Sequence, residues 1–207
     1  MKLTIVGASG HGKVVAEIAR LNGYNEIVFY DDNPTLRACG CWPVVGTTDQ
    51  LTTEDSELFI AIGNANVRER FMERFSDVQM PVLIHPSAVV APQVPIGRGS
   101  VVMPGAVINP GSVLGEGVIV NTCASVDHDC VLGDYVHVAV GAHLCGTIEV
   151  GVRTWIGAGA IVSNNHRVCK DVMLAAGALV VADIDEPGVY IGSPAKLYRK
   201  QTERQGS

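Results

Sequence analysis

The stretch IHPSAVVAPQVPIGRGSVVMPGAVI, residues 84–108, begins a six-residue repeat that continues to Ile184. Counting in sixes from Ile84 to Val180, every residue reached is Ile, Val or Leu, without interruption. Repetition at a fixed period is typical of solenoid proteins, in which each repeat buries its apolar side against the next. The positions are Ile84, Val90, Ile96, Val102, Ile108, Leu114, Val120, Val126, Leu132, Val138, Leu144, Val150, Ile156, Val162, Val168, Leu174 and Val180.

A second restricted position lies four residues after each aliphatic one, and its occupants are small or aliphatic apart from His166. Each of these residues precedes the next aliphatic position by two, so the two side chains point to the same side of a strand. We therefore predict one short strand in each hexad, with both positions facing inward and a turn before the next hexad. For His166 we expect a distorted rung with the imidazole hydrogen-bonded in the core, a ligand role being the alternative.

The repeat resembles that of the hexapeptide-repeat acyltransferases, whose left-handed parallel β-helix has a triangular section and three hexads in each coil. The resemblance implies about five to six coils, stacked at about 4.8 Å, the ordinary spacing of strands. The tail Gly192-Ser193-Pro194-Ala195-Lys196 is similar to the G-x-P-A-K/R ending of many such enzymes. The left hand is implied by the resemblance alone, because crossovers between parallel strands are usually right-handed.

Residues 1–83 predict a separate α/β domain with the order of a Rossmann-like nucleotide-binding unit. The strand Lys2–Val6 runs into GASGHG at 7–12, and a helix with aliphatic residues at helical spacing follows until Gly23. A second strand at 27–30 ends in two aspartates. Glycine turns and helix N-termini favour phosphates, and an acid after the second strand can bind a ribose or base edge. The spacing G-x-x-G-x-G leaves open a plain tight turn, and it does not distinguish NAD from a sugar nucleotide.

A third strand at 58–62 ends in Gly63-Asn64, where Asn64 can cap a helix at 67–75. Ligands of open α/β sheets bind beyond the carboxyl ends of the strands. The residues at these ends are therefore candidates for nucleotide binding: His11, Asp31, Asp32, Gly63 and Asn64.

The composition of the 207 residues excludes several classes of function. Net charge is −6 with no basic stretch, so we expect no nucleic-acid partner. An apolar run of about 18 residues and a secretory leader are both missing, which predicts a cytoplasmic protein without a membrane span. The six cysteines form no CxxC pair and predict neither a zinc site nor disulfides.

The outward positions of the repeat carry the candidate catalytic groups. His128 is flanked by Asp127 and Asp129 at a predicted corner of the prism. A carboxylate beside an imidazole orients the ring and raises its basicity, which suits a general base; Asp129 is the favoured partner and Asp127 the alternative. His137 and His143 occupy the equivalent outward position on the following faces. For His143, the usual interpretation is a solvated side chain without a function.

Spacing then predicts where an active site can form. His128 and His137 lie half a circuit apart in an eighteen-residue coil, so they cannot meet within one prism. We expect a homotrimer with active sites between subunits. Gly146 lies one coil after His128 and leaves room for a thin ligand such as a pantetheine arm, a plain turn glycine being the alternative.

The resemblance to one family covers nearly the whole chain. GASGHGKVV, Asp31-Asp32, FIAIGN, the IHP at 84–86, the Asp-His-Asp-Cys run and the GSPAK tail are similar to the NeuD/PglD family of bacterial sugar acetyltransferases. The resemblance implies acetyl-CoA as co-substrate, no metal, and an acceptor such as a UDP-4-amino-4,6-dideoxy-sugar. It also implies His128 as catalytic base, tuned by Asp129 where the family often has Glu.

The remaining site residues are likewise carried over by position. His137 resembles the residue near the thioester of acetyl-CoA, and Gly146, Ala158 and Ala176 fall where the family lines the CoA channel, with Ala176 replacing a common Gly. The residues that fall where the nucleotide part of the acceptor is held are Ser9, Gly10, His11, Asp31, Asp32 and Gly63. No Ser or Cys nucleophile with an adjacent base is evident, which favours direct transfer in a ternary complex.

The expected organisation is a nucleotide-binding domain at 1–83, a β-helix acyltransferase domain at 84–200 and a polar tail at 201–207. Three alternatives to amine acetylation stay open at this point. The first is O-acetylation of a sialic acid or another sugar. The others are a zinc hydratase like the γ-carbonic anhydrases, using His128, His137 and His143, and a non-catalytic nucleotide-sugar-binding protein.

Overall fold

Residues 1–53 and 55–200 are described by the computed structural model, and the expected polar tail, 201–207, lies outside them. The N-terminal unit contains, in chain order, β1 (Lys2–Val6), α1 (Gly10–Leu21), β2 (Glu26–Tyr30), β3 (Ala38–Cys39), β4 (Trp42–Gly46), a 3-10 helix (Thr48–Gln50), β5 (Glu57–Ile60) and α2 (Ala65–Arg74). Its sheet has the order β3-β4-β2-β1-β5, with β3 antiparallel to β4 and the other pairs parallel.

This unit follows the predicted order of strand, glycine turn, helix and strand. β1 has four buried residues in five, because it is the strand between β2 and β5 and helices cover the sheet. Asn64 caps α2 as predicted, its Oδ1 accepting the Val67 N–H at 3.1 Å. The β3–β4 hairpin and the 3-10 helix were not predicted, since a two-residue strand and a strand containing Pro43 show no clear periodicity.

The remaining strands build the β-helix, almost all of them two residues long. In chain order they are β6 (Leu83–Ile84), β7 (Val89–Val90), β8 (Val101–Val102), β9 (Val107–Ile108), β10 (Val113–Leu114), β11 (Ile119–Val120), β12 (Ser125–Val126), β13 (Val131–Leu132), β14 (His137–Val138), β15 (His143–Leu144), β16 (Glu149–Val150), β17 (Trp155–Ile156), β18 (Ile161–Val162), β19 (Arg167–Val168), β20 (Val172–Leu174), β21 (Leu179–Val180), β22 (Gly188–Ile191) and β23 (Lys196–Lys200).

These strands form the three faces of a left-handed prism. The first face has the order β23-β22-β20-β17-β14-β11-β8-β6, the second β21-β18-β15-β12-β9-β7, and the third β10-β13-β16-β19. Paired residues on a face are eighteen apart, as in Val120 with Val138. Each coil therefore consists of three hexads, as the resemblance to hexapeptide-repeat acyltransferases implied, and the second face alone stacks six strands.

The predicted inward residues line the interior of the prism. All seventeen aliphatic positions belong to one apolar cluster, from Ile84 at its edge to Val180 near its other end. Burial of this many aliphatic side chains is the main stabilising contribution, at about 25 cal/mol per Å² of apolar surface.

His166 is a correction to that scheme. Its imidazole is 24% exposed and its Nδ1 lies 3.2 Å from the Asp183 carboxylate, so the ring does not enter the core. An imidazole placed there would find no hydrogen-bond partner among aliphatic side chains, whereas the surface offers a carboxylate.

The N-terminal unit packs on the first face of the prism. Leu83, Val101, Met103 and Ile119, which point outward from that face, share an apolar cluster with the buried side of the α/β sheet. A second cluster joins Met72 of α2 to Tyr135 at the corner between the third and first faces. The N-terminal unit therefore covers the earlier coils of the first face, whereas Met173 of β20 on that face is exposed, as are Val113, Val131 and Ile161 on the other two faces. No helix in the described residues combines the length and apolarity needed to span a membrane.

Candidate active site

His128 lies at the corner between the second and third faces, in the turn from β12 to β13. Its Nδ1 is 2.8 Å from Oδ2 of Asp129, and the two side chains are 54% and 65% exposed. The hydrogen bond that Nδ1 donates to Asp129 raises the pKa of His128 above its ordinary value; desolvation opposes this shift, and the charges of Asp127 and Asp129 add to it. Because Nδ1 is held by the carboxylate, Nε2 is free to accept a proton from a bound group.

Asp127, the alternative partner, has a different role. Its Oδ1 accepts the Asn109 amide at 2.7 Å and the backbone N–H of His128 at 2.8 Å. These hydrogen bonds, Asn109 first, lower the pKa of Asp127. Asp127 therefore shapes the corner as an ionised acceptor, and Asp129 is the carboxylate that contacts the imidazole.

Two glycines make room for this pair. A β-carbon on Gly146 would lie 2.5 Å from Nε2 of His128, and one on Gly111 would collide with the Asp129 carboxylate. Each glycine stands one coil, eighteen residues, from the side chain it accommodates. The space over Gly146 is thus occupied by the imidazole of its own chain, an outcome that neither of the two sequence interpretations of this glycine included.

His137 points outward from the first face, as the register predicted, but the N-terminal unit covers it and leaves it only 4% exposed. Its ring lies 4.1 Å from that of Trp155, and its Nε2 is 3.1 Å from the amide of Asn121. Its Nδ1 makes no hydrogen bond of normal geometry, although the ring lies near the Gly63 backbone. Burial first, then the positive charge of Arg68, lowers the pKa of His137 to about 3.

His11 faces His137 across the seam between the two parts of the chain. The ring centroids are 6.4 Å apart, and the buried Nε2 of His11 has no hydrogen-bond partner among the described residues. Burial first, then Arg68, lowers the pKa of His11 to about 4. Both imidazoles are therefore neutral at physiological pH, with an unpaired nitrogen on each side of the seam.

The strand-end aspartates of the N-terminal unit are held by hydrogen bonds from different neighbours. Asp31 follows β2, and its Oδ2 accepts the Ala8 N–H of the glycine turn at 2.7 Å. Asp32 accepts hydrogen bonds from the N–H and the hydroxyl of Thr48, at 2.9 and 2.8 Å. The first hydrogen bond fixes Asp31 beside the glycine turn, and the other two fix Asp32 against the start of the 3-10 helix. Ser9 and Gly10 lie exposed at the start of α1.

The CoA-channel candidates are divided between two corners. Gly146 stacks directly after His128, the Thr147 N–H donating to the His128 carbonyl at 2.9 Å. Ala158 and Ala176 are exposed on the corner between the first and second faces, where the Gly177 N–H donates to the Ala158 carbonyl. One chain therefore does not bring all of these residues to one channel.

His143 stands apart from these groups on the exposed second face, where Ser125 Oγ lies 2.8 Å from its Nδ1. The zinc alternative required His128, His137 and His143 together, but His137 is buried under the N-terminal unit. Among the described residues, no three His, Cys, Asp or Glu side chains are grouped to hold a metal ion.

Several residues of the site were not predicted from the sequence. Asn109 and Gly111 could have been found, because each precedes Asp127 or Asp129 by one coil. Asn121 and Arg68 could not, since their contacts depend on how the N-terminal unit packs on the prism.

The chain is similar to several proteins of known structure or function. The family model described as the PglD N-terminal domain matches residues 2–75. The acetyltransferase domain of PglB from Neisseria gonorrhoeae FA1090, also solved with acetyl coenzyme A, is 46% identical, with 95% of this chain and 98% of that chain covered and a TM-score of 0.91. A mutant of the perosamine N-acetyltransferase from Caulobacter crescentus, solved with CoA and GDP-perosamine, is 36% identical over 97% of this chain and 98% of that one, with a TM-score of 0.91.

A curated relative gives a partial match. The UDP-N-acetylbacillosamine N-acetyltransferase of Bacillus subtilis (strain 168) is 35% identical over 109 residues, which is 49% of this chain and 50% of that protein. The aligned part thus spans about half the length of this relative.

Proposed function

The chain belongs to the NeuD/PglD family of hexapeptide-repeat sugar acetyltransferases, and we propose that it transfers the acetyl group of acetyl-CoA to the amine of a nucleotide-linked 4-amino-4,6-dideoxy-sugar. The observation that carries this proposal is the His128–Asp129 pair, a base with a free Nε2 at an exposed corner of the prism. In the proposed setting, the product serves bacterial glycan biosynthesis.

The proposed chemistry is direct transfer with His128 as general base. The acceptor nitrogen attacks the thioester carbon, a C–N bond forms, and the C–S bond breaks to release CoA. His128 Nε2 takes the proton that the nitrogen loses and can return it to the departing sulfur. Asp129, as acceptor from Nδ1–H, holds the ring in the tautomer that leaves Nε2 unprotonated and stabilises the imidazolium that follows.

The acceptor is proposed to bind at the N-terminal unit. Ser9, Gly10 and His11 present the start of α1, whose free N–H groups favour a diphosphate. Asp31 is fixed beside that turn and Asp32 follows it at the end of β2, held by Thr48; both are proposed to offer carboxylate oxygens to a base or ribose. The loop of Gly63 and Asn64 closes the same edge of the sheet. This class of acceptor is supported by two relatives whose descriptions name a nucleotide amino-sugar: the Caulobacter crescentus enzyme solved with GDP-perosamine, and the Bacillus subtilis UDP-N-acetylbacillosamine N-acetyltransferase.

Acetyl-CoA is proposed to bind between subunits of a homotrimer. His128 and Gly146 lie at one corner of the prism, whereas Ala158 and Ala176 lie at another. A second copy of the chain can bring its own alanine corner beside the His128 corner, and a closed ring of three copies does this equally for each. His137 lies in the seam between the N-terminal unit and the prism, and it remains the residue that we propose to lie near the thioester.

An amine acceptor is favoured over a hydroxyl acceptor by the relatives, whose printed names are those of N-acetyltransferases. The deciding experiment incubates the protein with acetyl-CoA and a panel of acceptors, and measures release of free thiol. The panel contains 4-amino-4,6-dideoxy-sugars linked to UDP, GDP and dTDP, and free sialic acid as the hydroxyl acceptor.

We expect turnover of at least one amino-sugar nucleotide and none of sialic acid. Turnover of sialic acid alone would establish the O-acetyltransferase alternative. Nucleotide binding without any thiol release would support the non-catalytic alternative.

A further inference from the structure

Arg68 is a buried cation that the proposed chemistry does not use. It lies on α2 and is 0% exposed. Its partners are four backbone carbonyl oxygens: Nε donates to Gly117 at 2.8 Å, Nη1 to Ile62 and Gly63 at 2.7 and 2.9 Å, and Nη2 to Tyr135 at 2.7 Å. No carboxylate of the described residues is paired with it, and the partners that these residues supply to its charge are carbonyl dipoles.

Burial of a guanidinium group costs several kcal/mol unless hydrogen bonds compensate it, and an apolar side chain often stabilises such a position equally well. Burial lowers the pKa of Arg68 to about 10, so the side chain remains a cation at neutral pH. The same helix already attaches to the prism in two other ways. Met72 is buried against Tyr135, and Glu69 pairs with Arg153 at 3.0 Å. Attachment of α2 alone therefore does not account for a buried arginine.

The position of the four carbonyls suggests a more specific role. Ile62 and Gly63 follow β5 and begin the loop proposed to hold the nucleotide. Gly117 and Tyr135 are on successive coils of the prism, at the corner between the third and first faces, and Tyr135 is two residues before His137. One planar group with fixed donor directions thus joins the nucleotide loop to the coil that carries His137.

On the basis of the proposed function, we infer that Arg68 is a positioning residue that fixes the Gly63–Asn64 loop against the prism and so sets the place of the acceptor nucleotide relative to the acetyl group. Arg68 itself touches neither substrate in this scheme and acts through the loop backbone. Its positive charge also disfavours protonation of His11 and His137, which keeps both seam imidazoles neutral.

The test compares Arg68→Met and Arg68→Lys with Arg153→Met, the matched control. Arg153 also links α2 to the prism, through Glu69 and Asp171, but it does not contact the nucleotide loop. Calorimetry would measure the Kd of each protein for acetyl-CoA and for whichever of UDP, GDP and dTDP binds the wild type most tightly. Thermal unfolding of each variant reports the loss of stability.

We expect Arg68→Met to raise the nucleotide Kd by at least about tenfold, because hydrogen bonds to a charged group are lost from the loop. The Kd for acetyl-CoA should change by less than about twofold, and the acceptor KM should rise more than kcat falls. Arg68→Lys should restore part of the affinity, since it keeps the charge without the planar fork. Arg153→Met should lower the unfolding temperature but leave the nucleotide Kd within about twofold.

Equal nucleotide Kd values for the Arg68 and Arg153 variants would overturn the inference while leaving the proposed function intact. If Arg68→Met does not fold, a wild-type nucleotide Kd in Arg68→Lys would overturn it equally. A wild-type protein that binds none of the three nucleotides would instead refute the proposed acceptor site, and the inference with it.

Discussion

The Nε2 atom of His128 lies 2.5 Å from the point where a β-carbon on Gly146 would stand. Real β-carbons essentially never have contacts this short, so the imidazole keeps its position only because residue 146 has no side chain. The pairing is a direct consequence of the coil length, since eighteen residues separate the two positions and place one over the other at the same corner.

Gly146→Ala should therefore displace the imidazole from its hydrogen bond with Asp129. The ring is half exposed and can swing outward, so we expect a small loss of stability, about 1 kcal/mol, together with a fall in kcat of at least about tenfold. Thiol release and thermal unfolding measure the two effects. A variant with unchanged kcat would show that the position of the ring over Gly146 has no part in catalysis.

His128→Ala should lower kcat by about 10² to 10⁴, the usual contribution of a general base. Acetyl-CoA affinity and the unfolding temperature should hardly change, because the side chain is exposed and has no packing role. His143→Ala is the matched control: it removes an exposed imidazole from the neighbouring face and should retain full activity. Equal kcat values for the two variants would refute the assignment of the base.

The pKa of His128 should respond to Asp129. The hydrogen bond that the imidazole donates to this carboxylate is the largest cause that raises the pKa, so Asp129→Asn should lower the pKa of the imidazole. NMR titration of the ring C–H signal, assigned by its loss in His128→Ala, measures this without interference from the acceptor amine. We also expect a lower kcat at high pH, because an amide does not favour the required tautomer. An unchanged or raised pKa in Asp129→Asn would contradict the pairing.

The buried seam should make the protein sensitive to acid. His11 and His137 have pKa values of about 4 and 3 in the fold, below the ordinary 6.5, so the unfolded chain binds more protons as the pH falls below 6.5. Stability is therefore fully present above pH 6.5 and is lost on acidification towards pH 4. The expected loss between pH 6.5 and 5 is about 2 kcal/mol for each imidazole.

Urea unfolding at pH 7 and pH 5 measures this loss. His137→Gln should reduce the difference between the two pH values by about half, because one of the two buried imidazoles is gone. A wild-type protein equally stable at both pH values would show that the seam imidazoles are not kept neutral by the fold.

Shared active sites can be tested by mixing inactive subunits. His128→Ala removes the base, and Ala176→Trp blocks the proposed CoA corner, so each variant alone should be inactive. In randomly mixed trimers, one site in four pairs an intact His128 with an intact Ala176 of a neighbour, and about a quarter of the wild-type activity should return. Light scattering establishes the number of subunits. Mixed trimers without activity would show that each site lies within one chain.

Much of the fold could be predicted because the repeat is local and regular. A hexad with two inward positions predicts a short strand and a corner, and eighteen-residue stacking follows from three hexads in a coil. The same regularity related His128 to Gly146 and would also have related Asp129 to Gly111. The prediction that His166 lies in the core was wrong. The six-residue period assigns an inward position to every residue of that set, whereas a polar ring is more stable beside Asp183 at the surface than in an aliphatic interior.

The sequence by itself determined the coiled stack of short strands, the outward side of His128 and His137, and the strand ends where Asp31, Asp32 and Asn64 stand. These depend on side-chain alternation and on neighbours at fixed spacing, which a linear pattern contains. The three-sided, left-handed form of the coil was implied by the family resemblance. Only the tertiary structure decided that His137 is buried beside His11 and that Arg68 joins the nucleotide loop to the prism. Those contacts join residues about 50 to 130 positions apart, and they exist because two separately formed apolar surfaces pack together, which no local period can specify.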